Sequence, residues 1–171
     1  MTVPIGSAVA ILGLTAGAAL LDVRTRRIPN LLVGPALAAG LAAQWLGGGT
    51  SAFAGGVAGM LVAGGLLLPG WLLGWTGAGD VKLMAAAGAW FGFPQSLFAT
   101  LASLLAGGVI ALVMAIRHRA LGRSVRGAWM IGASVVPGVL PAGTVLSTSG
   151  LRFPFAVAIL AGCASALWIR P

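Results

Sequence analysis

Gly77-Ala78-Gly79-Asp80-Val81-Lys82-Leu83 separates two strongly apolar segments and carries one of the two acidic residues in the chain. The other, Asp22, closes the first apolar segment, in Leu21-Asp22-Val23-Arg24-Thr25-Arg26-Arg27-Ile28-Pro29-Asn30. There is no glutamate. Outward from these two stretches the chain is apolar almost throughout, 59% hydrophobic and 7% charged over 171 residues, which excludes an ordinary soluble domain. At roughly 20 residues per crossing plus short links, that length holds about six membrane spans. The expected fold is all-α, one polytopic transmembrane helical bundle over residues 1–171 with no separate soluble domain.

The first span is expected from about Val3 to Leu21, where Gly13 and Gly17 offer a small-residue face for a neighbouring helix. Arg24, Arg26 and Arg27 follow at once and place this end in the cytoplasm by the positive-inside rule. Pro29 disfavours helix at Ile28, so a short turn leads to the second span, about Leu31 to Leu46. The uncharged Gly47-Gly48-Gly49-Thr50-Ser51 is expected as a flexible loop on the opposite side. A third span, about Ala52 to Trp75 and kinked at Pro69, returns to the cytoplasmic face at Gly77. Asp22 and Asp80 then share one membrane face. The fourth segment, Val81 to about Phe93, is short for a span and is ended by Pro94. A fifth, about Ser96 to Ile116, leads into Arg117, His118, Arg119, Arg123 and Arg126. Trp129 to Ser149 is broken by Pro137 and Pro141 and is expected to be interfacial or re-entrant. The last span runs from about Phe153 to Ile169. Six spans result, or seven if Trp129 to Ser149 crosses.

The net charge of +8 gathers in the breaks between apolar runs, so anionic membrane lipids, not nucleic acid, are the expected partner. His118, between two arginines, fits a solvated or headgroup-facing role, and the single Cys163 a small core residue. The N-terminus lacks a basic stretch ahead of its apolar run, so no cleaved signal peptide is expected. The residues offer no metal-ligand cluster and no serine with a histidine or lysine partner at readable spacing.

Each aspartate has a structural alternative. Asp80 stands where a helix begins and would serve as an N-cap, and a lone Gly-x-Gly-Asp is weak in a chain with 28 glycines. Asp22 lies at a helix C-terminus, where the macrodipole disfavours a carboxylate, so its alternative is an ion pair with Arg24 or Arg26. Together the two acids point to chemistry. Two carboxyls brought close do not easily both ionise, and one stays protonated beside its charged partner. Such a pair activates water and stabilises a tetrahedral intermediate without a metal or cofactor. Alternatives are a small proton-coupled transporter or channel in which Asp22 and Asp80 titrate, and a non-catalytic scaffold.

The two stretches resemble the two catalytic blocks of the prepilin peptidases, or type IV leader peptidases, which are Gly-x-Gly-Asp intramembrane aspartyl proteases. Arg152-Phe153-Pro154-Phe155-Ala156 through Gly162 resembles the weaker proline-containing segment that opens their last helix. The resemblance implies Asp22 and Asp80 as the catalytic pair, and Gly77, Gly79 and Lys82 as substrate-binding residues, the role of Lys82 being open between lipid, substrate and Asp80. It implies cleavage of the basic leader of a type IV pilin-like precursor at the cytoplasmic face of a bacterial or archaeal inner membrane. The chain lacks the cysteine-rich cytoplasmic region of the long family members. It is similar to the short, peptidase-only type of tight-adherence (Flp) pilus systems, with no methyltransferase activity expected.

Overall fold

The computed structural model describes residues 4–25, 28–72, 76–117 and 155–168. Within them the chain is all-helical: α1 (Ile5–Thr25), α2 (Asn30–Leu72), α3 (Ala78–Phe91), α4 (Gln95–Arg117) and α5 (Phe155–Trp168). α2 is bent back on itself. Gly48 (φ −152°, ψ 15°) and Gly49 (φ 64°, ψ −150°) leave helical geometry, and the two limbs lie against each other. The glycine run is therefore a tight turn inside one hairpin instead of a flexible loop. The chain stays helical through Pro69, three residues before the end of the second limb.

Among the described residues, each apolar segment expected from the sequence becomes a helix or a limb of one, and they differ in length. Three helices among the described residues, α1, α2 and α4, are long and apolar enough to cross a membrane. α3 and α5 have 14 residues each. At about 1.5 Å per residue the described residues of each reach about 21 Å, against a hydrocarbon core of roughly 30 Å. The expected Trp129–Ser149 segment lies outside the described residues, as do His118 and the arginines from Arg119 to Arg152.

Lipid tails are as apolar as leucine, so helices in a membrane gain most from close packing, and small residues mark where they touch. α3 runs parallel to the first limb of α2 and antiparallel to the second. Gly59 of the second limb and Gly88 of α3 face each other backbone to backbone, with Ala63 beside them. At the far end, the Trp90 indole covers Gly40 and donates Nε1–H to the Ala36 carbonyl at 2.8 Å. The Gln44 side chain donates to the Trp90 carbonyl at 3.0 Å and satisfies the C-terminus of α3. α4 and α5 cross just as closely, Gly162 lying on the backbone of Ser103. Gln95 of α4 donates to the Ala166 carbonyl of α5 at 2.8 Å.

α1 packs against α5 and α3 through Ile11, Leu14, Thr15, Ala18 and Ala19. The expected Gly13–Gly17 face is not used by any described helix, for a Cβ at either position would meet nothing within 4 Å. The larger side chains two positions earlier and one later bury more surface, and α1 turns that side inward. Cys163 is fully buried in α5, as expected of a small core residue.

Trp90→Phe is expected to destabilise the fold by about 1 kcal/mol, the net value of a single hydrogen bond. The measurement is thermal unfolding in detergent followed by circular dichroism. An unchanged transition would mean that the Ala36 carbonyl loses nothing when the indole N–H is removed.

Candidate active site

The site is built where α1 ends, α2 begins and α3 begins. Pro29 fixes the start of α2, its carbonyl accepting the N–H of Leu32 at 3.0 Å. Ile28, just ahead of it, rests on the first turn of α3. A Cβ at Gly79 would lie 3.1 Å from the Ile28 Cβ, so glycine at this position lets the α1–α2 link sit directly on α3. Gly77 is the N-cap of α3, with extended backbone (φ −78°, ψ 150°). Asp80 is thus the third residue of the helix and not its N-cap. It still serves the helix end, since its Oδ2 accepts the backbone N–H of Gly77 at 3.0 Å. A Cβ at Gly77 would stand 3.1 Å from that same oxygen, so a side chain there would crowd the carboxylate.

Asp80 is buried, 8% exposed, whereas Asp22, in the last turns of α1, is half-buried. Burial pushes the Asp80 carboxyl up from the ordinary carboxylate value of 3.8 to about 6. The Gly77 N–H pulls the other way by favouring the charged form, and the nearby charge of Asp22 adds a smaller upward push. Asp80 lies ahead of the apolar run of α3 and outside all three candidate spans. The two acids of the chain, distant in sequence, are therefore close enough for one to bias the ionisation of the other.

Lys82 follows Asp80 by two residues, about 200° around the helix, and stands on the opposite flank of α3. Its Nζ donates to Asn30 Oδ1 at 3.1 Å. Gly77 is exposed and Gly79 partly buried under Ile28. Two positions matter here that chemistry-bearing residue types did not single out. Ile28 seats the link on Gly79, and Asn30 partners Lys82. Both stand in the quoted stretch around Asp22, so their signal was position within the block. Among the described residues no three His, Cys, Asp or Glu side chains converge on one point.

A buried, helix-borne carboxyl with a raised pKa, beside a second carboxyl that water reaches, can give and take protons. The sequence profile of the type IV leader peptidase family matches residues 8–112, from α1 through most of α4 and including both aspartates. No curated protein and no solved structure matches the chain. The proline-containing patch at Arg152–Gly162 lies beyond the matched span. With the profile covering more than half of its length and holding both acidic stretches in order, this chain belongs to the type IV leader peptidase family.

Proposed function

We propose that the protein is a membrane aspartyl endopeptidase that removes the basic leader from type IV pilin-like precursors at the cytoplasmic face, with Asp22 and Asp80 as its catalytic pair. Family membership makes it a peptidase with prepilin-like substrates. The observation that carries the finer reading is the convergence of two unlike carboxyls, Asp80 buried on α3 and Asp22 half-buried on α1.

The unequal environments support a division of roles. Asp80 holds its proton more readily and donates a hydrogen bond to the scissile carbonyl oxygen. Asp22, which water reaches, takes a proton from a water whose oxygen attacks the carbonyl carbon. The tetrahedral intermediate carries its new charge on the oxygen facing Asp80, and it collapses as Asp22 returns the proton to the leaving amine. Gly77, exposed at the helix start, leaves room for an extended substrate backbone beside Asp80. Gly79 acts by keeping Ile28, and with it the end of α1, on the same turn. Arg24 in the last turn of α1 and Arg117 in the last turn of α4 support a cytoplasmic location for this end.

The test is cleavage of a full-length pilin precursor by the protein in lipid across pH, with the cut located by mass spectrometry. The rate is expected to fall as pH rises through about 6, where Asp80 loses its proton. It should fall again in acid, where the pair gains a second proton. Substrate that displaces water from Asp80 moves the upper limb to higher pH. A flat profile would remove the shared-proton pair from the mechanism.

A further inference from the structure

On the flank of α3 turned away from the two aspartates, α2 and α3 leave an open valley of about 280 Å³. Asn30, Val33, Gly34 and Leu37 line it from α2, one stripe at helical spacing, and Lys82 and Ala85 line it from α3. Gly34 keeps it open, since a Cβ there would meet no atom within 4 Å. The walls are apolar except at one end, where Lys82 Nζ meets Asn30 Oδ1 at 3.1 Å. An ammonium has three donors, so two remain for an anion. The only acids of the chain lie on the other flank, and Arg24 stands at this same end of the bundle.

These features describe a ligand with one negative head and a narrow apolar tail. Pockets that enclose soluble small molecules run to roughly 300–1,000 Å³ and surround them, whereas this valley is smaller and lies open on the outer face of α2. A phosphodiester on Lys82 would supply the missing negative charge, and an acyl chain would cover Leu37 and Ala85 across the bare backbone of Gly34. We propose that the valley is a binding site for one anionic phospholipid, its phosphate on Lys82 Nζ and one acyl chain between α2 and α3.

Such a lipid would tie the start of α2 to α3. Ile28, two residues before Asn30, already rests on Gly79. An occupied valley therefore holds the α1–α2 link against the turn that carries Asp80, whatever chemistry Asp80 performs.

The test is lipid retention, read by native mass spectrometry of the full chain released from nanodiscs of equal phosphatidylglycerol and phosphatidylcholine. Wild type is expected to retain one phosphatidylglycerol at least fivefold over phosphatidylcholine. Lys82→Gln, which can still donate to Asn30 but lacks the charge, should abolish that preference, and Lys82→Arg should keep it. Gly34→Leu, or Leu37→Trp from the other part of the wall, should lower retention of both lipids with the charge intact. Circular dichroism establishes that each variant is folded. The proposal is overturned by equal retention of both lipids in wild type, or by undiminished phosphatidylglycerol retention in folded Gly34→Leu and Leu37→Trp. It is overturned as well if glycerol phosphate displaces the lipid, which would make the site one for a free anion. A pilin precursor cross-linking from position 34 undiminished by phosphatidylglycerol would assign the valley to substrate instead.

Discussion

Asp80→Asn is expected to lower precursor cleavage by about 10²–10⁴-fold, the usual contribution of a positioned acid or base, while the protein stays folded. Asparagine has nearly the same shape, and its amide oxygen can still accept the Gly77 N–H that the carboxylate accepts at 3.0 Å. What it cannot do is hold and pass a proton. The same substitution has a signature in stability that follows from the burial of the carboxyl. Because the Asp80 pKa in the folded protein is raised from 3.8 to about 6, protonation favours the folded state. That stability is fully present below about 3.8 and is lost as pH rises through about 6. The shift corresponds to roughly 3 kcal/mol at 1.36 kcal/mol per unit. Asp80→Asn should therefore show a flatter stability profile between acid and neutral pH, together with lost turnover and retained precursor binding. Asp22→Asn should lose turnover to a similar degree, since members of a pair acting as a unit are not additive. Undiminished cleavage by either folded variant would remove that residue from the mechanism. Proton flux lost in the variants, with no cleavage by wild type, would favour a transporter.

The second large effect is expected far from the carboxyls. Gly88→Ala places a methyl against the Gly59 carbonyl and 2.6 Å from the Ala63 Cβ. Those atoms are helix backbone and a side chain with no rotamer to yield, so α3 must move off α2. Overpacking of this kind costs about 1–3 kcal/mol. The functional loss should exceed the structural one. α3 also carries Asp80, and a displacement of about 1 Å at a catalytic group can cost on the order of 10²-fold. Gly88→Ala is thus expected to lower both the unfolding temperature and cleavage, with precursor affinity less affected. Gly65→Ala is the control, because a Cβ at Gly65 would meet nothing within 4 Å. If Gly88→Ala cleaves like wild type, the Gly59–Gly88 crossing does not position Asp80.

Much of the helical layout was legible because hydropathy alternates sharply with glycine, proline and arginine breaks. The boundaries at Gly48, Gly77 and Pro94 were visible as composition, whereas α1 runs past Asp22 to Thr25. Partners were not. Gly13 and Gly59 sit in the same kind of small-residue pattern, yet only Gly59 meets another backbone, since its use depends on Gly88 arriving from a different helix. The number of crossings is not read from apolarity alone, for a related reason. Apolarity marks α3 and α5 as strongly as α1, but membrane span is a matter of length, and tertiary packing can bury a helix that lipid never surrounds. At the site, the two acids stood out by rarity. Their unequal burial, and the role of Asp80 at the third helical position instead of the cap, emerged only from the way Gly77 and Ile28 close around the first turn of α3.

The turn at Gly48–Gly49 also bears on how the two acids meet. Gly49, with φ 64° and ψ −150°, occupies backbone space essentially reserved for glycine. Its folding brings both limbs of α2 to the flanks of α3. α3 has 14 residues and lies between the two limbs, which flank it along its length. Asp22 and Asp80 are separated in the chain by the whole of α2. Were α2 straight, its 43 residues would set the start of α3 about 60 Å from the end of α1 at 1.5 Å per residue, so the meeting of the two carboxyls depends on the two glycines that fold it back.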